Sequence, residues 1–589
     1  MTRSSLSAFL LVVLAIGRAA TAQIIYVDSS ATGKGDGSSW VHAYPDLAVA
    51  LAAARSGEVW IAAGRYRLTN KTASFHLPSD VAVFGGFSGT ETDRAQRDPA
   101  TNRTILSGDV LGDDLPGGVN RTDNAEHVVR GAGLGGASVL DGVEVTGGES
   151  TANGAGAGIE LSAASLTVRN CRVLDNRASW GGGISASGSG LLRVEDSVIA
   201  GNYVHLYRGA GVHVGLGCSA RLVRTEVRDN TIRSGVTHGN GAGLYADPQT
   251  VVELLDCVFA NNIVDFRFGG TGYPPSGGAL TFLGTSLTIE RCQLIGNQAP
   301  TGGAIYTYGP TVIRDSVLAG NRALRAFDIG GWGGALVATS TATLDGSVVA
   351  GNSATEDGGG VYATQSTSLV DCIVWNNTDR HGQVGESQVK GTSQRYCCIM
   401  NFLTPRQGED PVDPKKFPFC ILTDPRFVGA GDYHLVAGSP CIDSGDPSRV
   451  RVGHDLGGMP RILDGDLDGR WAGDMGAHEF GNIQLAAQWT RTSTTLSLRL
   501  STSGRPGLAT LVAFGLPSAG VPLAPWGILL LDPSVLVFAP MAPVPSALTI
   551  GVPLTSIPPG GWDLRAQALG STAGAGNLSN PVELQVRAP

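Results

Sequence analysis

Eight times between residues 171 and 377 the chain repeats one hexapeptide: Cys, Ser or Thr, four mostly apolar or small residues, then Asn. The copies are Cys171–Asn176, Ser197–Asn202, Thr225–Asn230, Cys257–Asn262, Cys292–Asn297, Ser316–Asn321, Ser347–Asn352 and Cys372–Asn377. A Gly-rich tripeptide follows seven of them, starting at Gly181, Gly209, Gly241, Gly277, Gly302, Gly333 and Gly358. A fixed-offset repeat of this kind buries its apolar face against copies of itself, which is the mark of a solenoid.

The spacing says which solenoid. From each tripeptide to the next Asn the steps are 21, 21, 21, 20, 19, 19 and 19 residues, whereas from Asn to the next tripeptide they range from 5 to 15. Length variation is therefore confined to one corner of the repeat. The constant part alternates apolar and polar residues (SLTVRNCRV, LLRVEDSVI, SLTIERCQL) and holds no helical pattern, so it reads as short strands. Coils of this size built from strands predict an all-β parallel β-helix stacked at about 4.8 Å. Right-handed winding is the default for parallel crossovers. Stacked Asn side chains then hydrogen-bond up a ladder, and the Gly residues serve bends that need φ > 0. Both are structural roles.

Met1–Ala22 has the charged start, apolar core (Phe9–Ile16) and small-residue end of a secretory signal peptide. No later segment has the length of a membrane span; Asp532 and Pro533 interrupt the most apolar stretch. The mature chain is expected to be secreted, extracellular or on the cell surface. A net charge of −9 with only five lysines excludes nucleic acid as an expected partner. Nine cysteines suit export without defining a disulfide framework. Cys257 and Cys292 fall on neighbouring coils, within disulfide reach or as small buried thiols, and Cys397, Cys398, Cys420 and Cys441 allow three pairings.

Ile24–Trp40, Ala43–Arg67 and Val81–Asp98 resemble the opening segment of bacterial right-handed β-helix proteins of the pectin-lyase-like superfold, and residues 424–480 resemble their closing segment. The resemblance spans residues 24–480. It implies the fold and export, and leaves activity open because the superfold hosts lyases, hydrolases, adhesins and proteins without catalysis. Tyr44–Arg55 reads as an amphipathic helix covering the open N-terminal end of the core. In the closing segment Asp464, Asp466 and Asp468 have the alternate spacing of a calcium loop, with Asp474 near its end; a bidentate Glu at the twelfth position is missing. Ca²⁺ is the one cofactor the sequence suggests. Residues 483–589 alternate between Pro and Gly turns without the Asn repeat and are expected to form a small β-sandwich. The domains are thus 1–22, 23–480 and 483–589.

Insertions at a single corner must lie side by side on one face. They carry Tyr203, His205, Tyr207 and Arg208, then Arg233 and His238, then Asp265, Phe266, Arg267, Phe268 and Tyr273, then Arg322, Arg325, Phe327, Asp328 and Trp332. Aromatic rings beside Arg and Asp are what sugar recognition requires. The expected function is adhesin-like binding of a polysaccharide or another cell-surface glycan along this side. The alternative is an extracellular polysaccharide lyase or glycoside hydrolase with a divergent site, for which Asp265, Arg267 and Asp328 are the catalytic candidates. The clusters that characterise pectate lyases and polygalacturonases are missing from the sequence, which favours binding.

Overall fold

A computed structural model describes residues 23–480 except 235–238, 267–274, 327, 328, 384, 402–416, 418, 450–452, 460, 462, 464 and 466–471, together with the backbone of ten strands between Ile483 and Val586. The first part is a parallel β-solenoid of about 12 turns. One coil runs through strands Ile184–Ser187, Gly190–Glu195, Val198–Ala200 and Tyr203–Arg208. Like strands of successive coils pair in parallel, giving sheets of 22, 12 and 8 strands; the largest holds the first two strands of every coil. The recurrent asparagines therefore fall in one column.

Three bends per coil explain the repeat residue by residue. Each is a single residue in the left-handed region. One precedes the Cys/Ser/Thr position (Asn170, Asp196, Asp256, Asp315, Asp371), one precedes the ladder Asn (Asp175, Gly201, Asn261, Gly296, Gly351), and one is the first Gly of each tripeptide. Asn, Asp and Gly tolerate that conformation best, so the sequence marks its own corners. Arg224 and Arg291 occupy the first bend at φ 46° and 49°, where bidentate ion pairs one coil back, to Asp196 and Asp256, hold them.

The Asn column is a continuous ladder. Asn262 donates from Nδ2 to Asn297 Oδ1 (2.9 Å) and to the Val227 carbonyl (2.8 Å), while its Oδ1 accepts from Asn230 N (3.2 Å) and Asn230 Nδ2 (3.0 Å). The pattern runs from Asn176 to Asn377, where Gln388 Oε1 accepts the last two donors and Gln388 Nε2 returns a bond to the Asn377 carbonyl. The Cys/Ser/Thr position has its own logic. Its γ atom accepts from the equivalent N–H one coil earlier (Cys171 N to Ser197 Oγ, Cys292 N to Ser316 Oγ) and donates to a carbonyl two residues back. A small side chain with a hydrogen-bonding γ atom is the requirement, which Cys, Ser and Thr share.

The helix at the N-terminal end is Leu47–Ala53, shorter than the expected Tyr44–Arg55. Tyr44 is already committed as a parallel bridge to Val27, and the Asp46 side chain caps Ala48 N and Val49 N, so the first turn cannot begin earlier. Leu47, Ala50 and Leu51 join the solenoid core.

Ile421 still bridges Cys398 in parallel, but the described residues from Phe427 to Phe480 do not continue the stack. They lie back over the outer face of the 12-stranded sheet, where the outward column turns apolar at Val317, Val348 and Ile373. Leu435, Cys441, Ile442, Met475 and Ala477 bury that patch. Ion pairs fix the strap at its edge: Arg449 to Asp345 (2.6 Å), Arg461 to Asp315 (3.0 Å), and Arg395 to Asp446 (3.2 Å). Beyond it pairing becomes antiparallel, with Thr495–Gly504 between Ile483–Arg491 and Ser546–Pro553 in one sheet and Trp562–Thr572 central to another.

Candidate functional site

The side chain four residues after each tripeptide start points outward at the same place in every coil. Successive register partners are Ser185, His213, Tyr245, Thr281, Tyr306, Val337, Tyr362 and Lys390. This column adjoins the variable corner, and aromatic and charged residues from both gather in two clusters. From His213 to Tyr362 is five coil steps, about 24 Å at sheet spacing.

The first cluster forms around Arg208. Trp180 and Tyr207 stack with centroids 4.3 Å apart, and Trp180 lies 5.8 Å from His213, which is itself stacked on Tyr245 at 5.9 Å. The Arg208 guanidinium sits 5.6 Å from the Trp180 ring and 4.7 Å from the Tyr245 ring, and donates to Tyr245 Oη at 2.8 Å. Burial pushes the Tyr245 phenol up, so it stays protonated. Asp247 completes the group, 3.4 Å from Arg208 and 3.1 Å from His213 Nε2. The Trp180 and Tyr207 rings are half-buried and locked by these contacts, an arrangement that presents apolar faces at little entropic cost.

Ser185, His213 and Asp247 make a Ser–His–Asp line, with Ser185 Oγ 3.1 Å from His213 Nδ1. It does not have the access that nucleophilic catalysis needs: Ser185 is only 3% exposed. The line orients the imidazole between its two ring neighbours.

In the second cluster Trp332 lies 6.4 Å from Tyr362, and Lys390 Nζ sits 5.7 Å over the Tyr362 ring while pairing with Asp357 at 2.7 Å. Glu356 is held by Arg325 (2.8 Å) and Arg380 (2.7 Å). Between the clusters Tyr306 and Tyr308 join through their hydroxyls, and the Tyr308 side is exposed. Every carboxylate named here has a cationic neighbour, so among the described residues the face offers aromatic planes and fixed charges.

Of the residues expected from the sequence, Tyr207, Arg208, Arg325 and Trp332 enter these clusters. Tyr203 lies beneath the Arg177 guanidinium at 5.6 Å, and His205 Nε2 is 3.4 Å from Ser179 Oγ. Arg233 and Asp265 are register partners paired at 3.3 Å. His238, Arg267, Tyr273 and Asp328 lie outside the described residues, as do Asp464, Asp466 and Asp468 of the expected calcium loop. Asp474 is fully buried, its two oxygens accepting Asp443 N and Phe480 N, and burial raises its pKa well above the usual carboxylate range. Another acidic group, Asp109, Asp113 and Asp123, brings carboxylate oxygens within 4.8 Å of one another. There Asp109 and Asp123 accept backbone N–H groups of the same loop.

His213, Tyr245, Tyr306 and Tyr362 sit in the constant part of the repeat, away from the length variation, and Trp180 sits in one of the shortest variable segments. The signal of the first four is the fixed offset of four from Gly209, Gly241, Gly302 and Gly358, and Trp180 stands immediately before Gly181. No family model matches the chain, and no curated protein and no solved structure gives a match to it.

Proposed function

We propose that this is an exported, right-handed β-helix protein of pectin-lyase-like type that binds an elongated carbohydrate chain along the strip from Trp180 to Lys390. In this reading the Leu47–Ala53 helix covers the N-terminal end of the core, and residues 483–589 form a β-sandwich that contributes attachment or spacing. The observation that carries it is the set of half-buried rings at Trp180, Tyr207, Tyr306, Trp332 and Tyr362, spaced along the solenoid axis with Arg and Asp groups beside the two end clusters. Sugar rings stack on aromatic planes while their hydroxyls bond to charged neighbours, and a rigid linear array suits a linear polymer. The carboxylates held in ion pairs support binding rather than hydrolysis or elimination, which need a carboxylate or base at liberty near the sugar.

A panel of neutral and acidic polysaccharides, scored for binding and for product formation with and without Ca²⁺, tests this. The expected result is retention of a polymer with no cleavage. Trp180→Ala combined with Trp332→Ala should weaken binding at least tenfold, given about 1 kcal/mol or more for each stacked ring, with circular dichroism unchanged. Cleavage products would establish the lyase or hydrolase alternative, and undiminished binding by the double variant would remove the strip.

A further inference from the structure

Folding the strap over the outer face brings together two thiols that lie 43 residues apart in the chain. Cys398 lies in the outward column, one coil beyond Ile373 and one step before Ile421. Cys441 belongs to the strap. Both are completely buried in one apolar cluster between strap and sheet; the Cys398 thiol donates to the Thr423 carbonyl at 3.3 Å, and the Cys441 thiol is the neighbour that acts on it most strongly. Two other thiol pairs are also in contact, Cys257 with Cys292 and Cys372 with Cys397, but these join neighbouring coils already held by parallel strand pairing. Cys398 and Cys441 instead lie on two elements that, among the described residues, are joined by side-chain packing, ion pairs and scattered hydrogen bonds.

We propose that Cys398 and Cys441 are oxidised to a disulfide that fastens the strap to the last coils of the solenoid. The chemistry is thiol–disulfide exchange with a small disulfide such as oxidised glutathione. One cysteine thiolate attacks the donor disulfide and expels a glutathione thiolate; the second attacks the mixed disulfide and expels the other. Two protein thiols lose two protons and two electrons, and one glutathione disulfide becomes two thiols. In the closed structure the adjacent Cys441 thiol and burial hold the Cys398 thiol protonated, and it donates to the Thr423 carbonyl, so exchange belongs to the folding stage, before the strap seals the pair. The bridge is independent of the carbohydrate-binding proposal and requires only the oxidising surroundings that export supplies.

The full chain is refolded from denaturant in reduced and oxidised glutathione, free thiols are blocked with iodoacetamide under denaturing conditions, and peptides are mapped by mass spectrometry. The expected result is a linked peptide pair containing Cys398 and Cys441. Recovery of both as alkylated peptides, or of either linked elsewhere, overturns the assignment. In parallel, limited proteolysis within residues 421–480 compares protein refolded with the glutathione pair against protein refolded with dithiothreitol. Cleavage should be slower by about tenfold or more with the bridge, and the difference should vanish in Cys441→Ser. The same difference persisting in that variant would also overturn it; if the variant does not fold, the peptide map of the unsubstituted chain decides.

Discussion

Asn262→Ala is expected to cost about 4 kcal/mol and to open the solenoid locally rather than at its ends. The substitution removes two donated and two accepted hydrogen bonds in a wholly buried column. Asn230 N and Asn230 Nδ2 lose their acceptor, and the Val227 carbonyl and Asn297 Oδ1 lose a donor. Each buried group left unsatisfied costs about 1–3 kcal/mol, and no water can enter between coils in parallel register. Asn262→Asp should be as damaging, because a carboxylate cannot donate to Val227 or Asn297 and brings a buried charge. Gln388→Ala, at the end of the ladder, strands the two Asn377 donors and the Asn377 carbonyl, three bonds rather than four, and should cost about 3 kcal/mol. Denaturant unfolding gives the energies, and hydrogen exchange at the coils of residues 230, 262 and 297 gives the location. A loss below about 1 kcal/mol for Asn262→Ala would show that the ladder is dispensable.

The columns were legible in the sequence because each is demanded by a local constraint that few residues meet. A left-handed corner selects Asp, Asn or Gly, as at Asp196, Gly201 and Asn261. A buried position facing two backbone groups selects Asn, and a small γ donor–acceptor selects Cys, Ser or Thr. Outward residues obey no such rule, so the rings at Trp180, Tyr245 and Tyr362 left no repeat to read. The variable corner drew attention by its lengths, yet its Arg233 and Asp265 satisfy each other across one coil. The strap was legible only through resemblance. Its physical trace is the outward column at Val317, Val348 and Ile373, continuously apolar and buried where the same column earlier mixes Glu144, Arg172, Val198, Glu226, Val258 and Gln293. An exposed face does not become fully buried Val and Ile without a cover, but alternation alone does not say which face those residues are on until the corners are placed.

Arg461→Met is expected to destabilise the strap by about 3–5 kcal/mol at pH 8, the cost of leaving buried carboxylates without their cation. Arg461 is fully buried, pairs with Glu479 (2.9 Å) and Asp315 (3.0 Å), and donates to the Gly476 carbonyl. Asp474 and Asp371 also act on this guanidinium, which thus faces four carboxylates, and the buried Asp455 acts on Glu479. Burial, reinforced by nearby carboxylates, raises Asp474 and Glu479, and burial raises Asp455 to about 7. A folded pKa above the unfolded value of about 3.9 means that the stability from this group is complete below pH ~4 and is lost as the pH rises through 7. The damage from Arg461→Met must therefore shrink on moving from pH 8 to pH 5, as protons replace the missing cation. For the same reason Arg461→Met combined with Glu479→Gln should recover part of the loss at pH 8, since the second change removes one stranded charge. Proteolysis or hydrogen exchange across residues 453–480 reads these effects separately from the coils beneath. An effect of Arg461→Met that is equal at both pH values, or greater at pH 5, would mean that these acids are ionised and that hydrogen bonding to the strap's backbone, not the arginine, is what keeps them so.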